Sequence, residues 1–232
     1  MIDFSILFED GEALVIDKPA GLPLDRPRAG GEALEDHLDA MRFGFQREPF
    51  PVHRLDRDTS GCLLLARNPK ALKRFSAAFE AREVSKVYLG VVATEVKGEQ
   101  GTIDLSLLKI SSVENGWRMI AAKKGKPAVT HWKVVARKPG MTLVEFRPET
   151  GRTHQIRVHA LAGLGAALVG DPIYGDGQGA ARTMLHAAAL TIPRVGKDPI
   201  VAHAPLPMDF DAMGFDLPEP ADKPEIAVED DT

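Results

Sequence analysis

Cysteine is almost missing from this chain: Cys62 stands alone among 232 residues. A single thiol makes no internal disulfide and no multi-cysteine zinc site, which points to a reducing compartment. Tyrosine and tryptophan are scarce, with two of each. No run approaches the roughly 18 apolar residues that a membrane-spanning helix needs. The opening Met1-Ile2-Asp3-Phe4 lacks the basic start and long apolar stretch of a secretory signal. These absences together predict a cytoplasmic protein. There is also no internal repeat. With 44% hydrophobic and 27% charged residues, usage is that of an ordinary globular protein, which excludes wholesale disorder, collagen-like repeats and a coiled-coil rod. The length suits one large domain or two small ones, and should bury on the order of 70% of the unfolded surface without staples.

The chain has no excess of positive charge, its net charge being -4. Its distribution matters more than its sum. Residues 216–232 hold seven of the 33 acids and one of the 29 bases, leaving a body of 28 bases and 26 acids. Within that body, residues 42–88 carry ten Lys/Arg against five Asp/Glu, and residues 109–138 carry eight against one. Two basic segments on a near-neutral body suit phosphate contact. Charge alone favours the plainer reading of solvated faces. The acidic, Pro-rich segment 216–232 is expected to be a disordered tail, and residues 1–215 a single domain.

The element order is mixed. Two apolar runs, Ile6 to Phe8 and Ala13 to Ile16, flank Asp10-Gly11 and predict a hairpin. A short helix is expected over 32–41, where Leu34 and Leu38 are four apart. Cys62 to Ala66 reads as a buried strand. Pro69 suits a helix start, with Leu72, Phe75 and Phe79 on one face. Strands are expected at 87–92, 101–108 and 116–122, and a hairpin at 129–146 around Lys138-Pro139-Gly140. A helix is expected over 154–162, ending at Gly163. Residues 183–192 fit helix or strand. Without regular βαβ alternation, the fold class is α+β, a mixed and mostly antiparallel sheet with flanking helices.

Chemistry concentrates in a few clusters. In His53-Arg54-Leu55-Asp56-Arg57-Asp58-Thr59-Ser60-Gly61, an aspartate lies between two arginines, whose charge favours the carboxylate. Such a group serves as nucleophile or base, or makes a structural ion pair. Asp58-Thr59-Ser60-Gly61 resembles an aspartic-protease signature, but that chemistry needs two carboxylates sharing a proton. The chain carries one copy, and its apolar run follows the motif instead of preceding it. In His154-Gln155-Ile156-Arg157-Val158-His159 the two histidines are five apart, about 140° around a helix. That argues against a shared metal, since a zinc-binding pair is four apart. His154, Arg157, Val158 and Leu161 share a face, from which an arginine reaches a buried carboxylate. Tyr88, at a strand start, offers a ring for stacking on an unstacked base. The Gly170–Gly177 segment reads as a turn-rich surface loop and is no P-loop. Cys62 reads as core.

Taken in order, these clusters resemble RluA-type pseudouridine synthases. The matching segments are Lys18-Pro19-Ala20-Gly21, the 53–61 cluster, Lys86-Val87-Tyr88, Gly151 to His159, Gly170 to Gly175, and Leu185-His186-Ala187. The resemblance spans about residues 5–207 and is weak between 95 and 140. It implies a mostly antiparallel sheet with a central RNA-binding cleft. The implied reaction isomerises a uridine of ribosomal or transfer RNA to pseudouridine, with no cofactor and no metal. The resemblance implies that Asp56, Tyr88 and Arg157 are catalytic. Arg157 would pair with Asp56 and Tyr88 would stack on the uracil. His53, Arg54, Leu55, Arg57, Ile156 and Leu185 would bind substrate: Arg54 would fill the space of the extruded base, and Leu185 would wall it from water. Motifs starting within twenty residues of Met1 imply the subgroup without an N-terminal S4 domain. A monomer with no membrane contact is expected. The alternative is an RNA-binding or chaperone protein in which catalysis is dispensable, for which a basic cleft alone would suffice.

Overall fold

The computed structural model describes residues 2, 4–112 and 116–215. The tail expected at 216–232 lies outside the described residues. In chain order the elements are β1 (Ile6–Glu9), β2 (Ala13–Lys18), β3 (Phe50–Pro51), β4 (Ser60–Ala66), α1 (Pro69–Glu80), β5 (Ser85–Val92), β6 (Gln100–Asp104), β7 (Leu107–Ser112), β8 (Gly116–Ala121), β9 (Val129–Lys138), β10 (Met141–Pro148), α2 (Gln155–His159), β11 (Leu185–Ile192), β12 (Ile200–His203) and α3 (Met208–Asp211). Among the described residues, ten strands form one sheet in the order β1-β2-β4-β11-β5-β10-β9-β6, with β3 added to β4 and β12 to β11. β4 and β11 run parallel; the other named pairs are antiparallel. β7 and β8 form a separate two-stranded ribbon. The fold is α+β, as expected.

The central strands are covered on both faces, which explains why their sequences read as unbroken apolar runs. On one face Val15, Cys62, Leu64 and Leu190 pack beneath Ala71, Phe75 and Ala78 of α1. On the other, Leu14, Ile16, Leu63 and Leu65 pack against Leu22, Leu24, Leu34 and Leu55. Each such side chain contributes about 1.5–3 kcal/mol of burial. α1 starts where its sequence says it should. Asn68 Oδ1 accepts a hydrogen bond from Ala71 N at 2.9 Å, and Pro69 supplies a fixed φ. Cys62 is buried in this core, and burial pushes its thiol up to about 12.

Four local expectations need correction. The helix expected over 32–41 is two short 3₁₀ turns, Leu34–His37 and Asp39–Arg42. Asp36 bonds back to Ala33 N, and Phe43 takes the left-handed conformation at φ 43°, so neither turn propagates. The single strand expected at 101–108 is broken after Asp104, because β6 joins the main sheet and β7 leaves it for the ribbon. The helix beginning at His154 does not stop at Gly163. It widens into a π turn over Ala160–Leu164 and ends at Gly165. Gly163 serves instead as a point of close approach, since a Cβ there would lie 2.8 Å from Ile103. The segment 170–177 is no surface loop at its start: Asp171 is completely buried.

Candidate active site

A cleft of about 1070 Å³ opens across the middle of the sheet. Its floor is Tyr88 of β5, which lies in register with Ala187 of β11 and Phe146 of β10. One wall is the loop between β3 and β4, which carries Asp56. The opposite wall comes from the segment leading into α2, and Lys109, Trp117 and Met119 of the ribbon reach in from one side.

The Asp56 loop is held by its backbone. Thr59 N bonds Asp56 O at 3.1 Å, closing a turn. The carbonyl of Arg57 accepts from Gly21 N at 2.9 Å and from Lys18 Nζ at 3.1 Å. Lys18 is wholly buried and also donates to the carbonyls of Pro19 and Leu22, at 2.7 and 2.9 Å. All three of its protons are therefore used. Burial lowers its ammonium to about 8, with Asp58 opposing the shift. From the other side Arg182 Nη1 donates to Asp58 O at 3.0 Å and Leu185 O at 3.1 Å, while its remaining nitrogens grip Asp209. The loop then enters β4 at Gly61, whose φ is +105° and whose Cβ, if present, would lie 2.2 Å from Ala187 O. Only glycine fits that parallel β4–β11 contact.

Asp56 presents one oxygen to the protein. Its Oδ2 lies 3.4 Å from Arg157 Nη1 and 3.9 Å from His154 Nε2. Oδ1 has no hydrogen-bond partner among the described residues and is left to the cleft. The contact with Arg157 is long for a charge-assisted bond, and the reason lies on the other side of the guanidinium. Arg157 Nε and Nη2 bind Asp171 at 2.7 and 2.8 Å in a two-point pair. Asp171 Oδ1 further accepts from Ile173 N and Tyr174 N. Burial by itself would raise the Asp171 carboxyl, but Arg157 and these amides outweigh it and hold it below the usual range. Arg157 is thus aimed by Asp171 and offers Asp56 its one remaining nitrogen.

His154 precedes α2 in the left-handed region at φ 53°. Met119 N donates to the Tyr174 hydroxyl at 3.0 Å, and that hydroxyl shares a hydrogen bond with His154 Nδ1 at 2.9 Å, which leaves Nε2 facing Asp56. Burial lowers the pKa of His154, with the Asp56 charge opposing. Trp117 stacks on its other side at 5.0 Å. Burial, and then the Asp56 carboxylate, push the Tyr88 phenol above its ordinary value, so it is a neutral ring and hydroxyl at neutral pH.

The comparisons with known proteins bear directly on this arrangement. Residues 12–162 match the model of the RNA pseudouridylate synthase family. The chain belongs to this family. It is 55% identical to an RNA pseudouridine synthase of Zymomonas mobilis over 212 residues, covering 90% of this chain and 97% of that one. It is 35% identical to the ribosomal large subunit pseudouridine synthase D of the same organism, covering 81% and 61%. Among solved structures, human RNA pseudouridylate synthase domain containing 1 superimposes with a TM-score of 0.73 at 29% identity, over 88% of this chain and 84% of that one. Human RNA pseudouridylate synthase domain containing 4 has the same fold, with a TM-score of 0.77 at 24% identity over 92% and 94%. As a pseudouridine synthase the chain is an isomerase, which converts uridine in RNA to pseudouridine.

For a pseudouridine synthase, the sequence-named residues fall into four groups. Asp56 and Arg157, from opposite walls, meet above Tyr88 at the cleft floor. Arg54 and Arg57 stand exposed at the rim, Arg54 facing Asp25 at 3.6 Å and Arg57 bonding Gly21 O at 3.1 Å. Leu55, Ile156 and Leu185 line the cleft from below, each no more than 6% exposed and packed in the core. His53 also lines the cleft, held by Leu64 N, which donates to its Nε2 at 3.0 Å, and by ring stacking on Phe79 at 4.8 Å. Burial, aided by Lys86, lowers it to about 4. The expectation that Arg157 pairs with Asp56 needs qualification, since its main partner is Asp171. Residue reasoning overlooked Asp171, Tyr174, Arg182 and Trp117. The one available signal was the resemblance of Gly170 to Gly175, which marked the segment without saying what its aspartate does.

Proposed function

We propose that this pseudouridine synthase acts on ribosomal RNA, with Asp56 as the acting carboxylate. The observation that carries this reading is the free Oδ1 of Asp56 at the floor of a cleft, beside a neutral Tyr88 and an arginine already aimed by Asp171. In the net reaction the C1′–N1 bond of uridine breaks, the uracil turns, and a C1′–C5 bond forms. The C5 proton is lost and N1 gains one, so no oxidant or reductant is needed. The target base must leave its stack to reach Asp56, at a cost of a few kcal/mol. Tyr88 would stack on it, Leu185 would keep water away, and exposed Arg54 would occupy the vacated position. The names of the relatives support ribosomal RNA as the substrate class. We place the protein in the cytosol as a monomer, with residues 1–215 as one catalytic domain. The single cysteine, Cys62, suits a reducing compartment.

The test is pseudouridine mapping on ribosomal RNA by carbodiimide adducts and reverse-transcription stops. The wild-type protein should create one or a few new stops. Asp56→Asn should create none, with RNA affinity within about 1 kcal/mol, or fivefold, of wild type. Turnover by Asp56→Asn would remove Asp56 from the chemistry. RNA binding without any stop from the wild type would favour the chaperone reading.

A further inference from the structure

Lys86 lines the cleft, as Lys109 does, while Lys18 is buried behind the Asp56 loop; Lys18 and Lys86 are opposites in one respect. Lys18 donates to three carbonyls and has no capacity left. Lys86, two residues before Tyr88 on the same face of β5, has a single contact, to Thr150 O at 3.5 Å. That length is at the limit of a hydrogen bond. An ammonium has three protons to give. Lys86 is only partly exposed, yet among the described residues no carboxylate lies within 4.0 Å of it.

The titratable groups that line the cleft on the neighbouring elements offer no relief. On its own strand there is the neutral phenol of Tyr88. From the β3–β4 loop comes the neutral ring of His53, and from the end of α1 and the turn after it come Glu80 and Arg82. Beyond β10 are Glu149, Thr150 and Arg152. Glu149 is taken by His131 at 2.7 Å, and Glu80 is exposed to solvent. A half-buried cation with free protons, facing a cleft and without a counter-ion, is a built anion site.

We propose that Lys86 binds a backbone phosphate next to the extruded nucleotide, and that RNA binding therefore depends on its protonation. This rests on the RNA reading above and adds a residue and a pH dependence to it. Alternation along β5 puts the Lys86 side chain about 7 Å from that of Tyr88, so ring and ammonium would contact base and backbone of one stretch of RNA. Burial lowers the free Lys86 to about 8. A bound phosphate would raise it again, so binding takes up a proton at mildly alkaline pH and weakens as the pH rises.

The experiment is fluorescence anisotropy on the full chain, with a 5′-fluorescein RNA stem-loop bearing a uridine loop. Kd is measured at pH 7.0 and 8.5, from 50 to 200 mM KCl, for wild type, Lys86→Arg and Lys86→Met. The wild type should bind about fourfold more weakly at pH 8.5 than at 7.0. Lys86→Arg keeps its charge and should lose that dependence, while Lys18 remains as an internal control for other titrations near pH 8. Lys86→Met should bind more weakly at pH 7.0, with a log–log salt slope shallower by about one. Thermal melts of both variants establish that the fold is kept. A methionine variant with wild-type affinity and slope overturns the proposal, as does an arginine variant with the wild-type pH loss. If either occurs while wild type still binds RNA and forms pseudouridine, the RNA reading stands and this one alone fails. A wild type that binds no RNA overturns both.

Discussion

Asp171→Asn is the sharpest test of how the site is held. The substitution keeps shape and removes one charge from a pair in which Asp171 is fully buried and Arg157 is 6% exposed. Both bonds of the pair, at 2.7 and 2.8 Å, are short. Neutralising one partner leaves the Arg157 charge in the interior, with Asp56 at 3.4 Å as its only carboxylate. Breaking a buried pair in this way costs about 3–5 kcal/mol. At the usual unfolding entropy for a chain of this length, that is a fall of about 6–10 °C in Tm. A second consequence is chemical. Arg157 should turn toward Asp56, engage it more fully, and lower kcat more than it changes RNA affinity. The assay is thermal melting by circular dichroism, together with single-turnover pseudouridine formation. A variant within about 1 kcal/mol of wild-type stability and with unchanged turnover would refute the claim that Asp171 carries Arg157.

Two other outcomes are expected. Gly61→Ala forces a Cβ to 2.2 Å from Ala187 O at a φ of +105°; it should cost more than about 3 kcal/mol, or leave the protein insoluble, as read by urea unfolding. Stability should also fall in mild acid. Burial lowers His186 to about 4 from its ordinary 6.5, so the unfolded chain takes up the proton first and stability drops as pH falls from 6.5 toward 4. This amounts to about 2–3 kcal/mol by pH 4.5, with His53 acting in the same direction. A flat urea midpoint between pH 7 and 4.5 would contradict it, and His186→Gln should flatten that part of the profile.

What was legible in the sequence was local. The β1–β2 hairpin, the capped start of α1, the β9–β10 hairpin and the buried run of β4 follow from turn residues, caps and periodicity within a few positions. The failures came where a distant segment decides. The 101–108 stretch has one strand-like composition, but its halves join different sheets. Residues 183–192 fitted helix or strand until β5 and β12 offered edges for β11 to pair with. Gly163 looks like a stop and is a contact with Ile103, sixty positions away.

The same division holds at the site. The sequence by itself determined the family, the placing of Asp56 between two arginines, and the α+β class, because ordered motifs and spacing survive without coordinates. Only the tertiary structure decided the partnerships. Arg157 is fourteen residues from Asp171 and 101 from Asp56, and no pattern along the chain ranks those two carboxylates. Burial ranks them: the interior, poor in water, commits the guanidinium to the aspartate it can bind at two points, and leaves Asp56 with one oxygen free in the cleft.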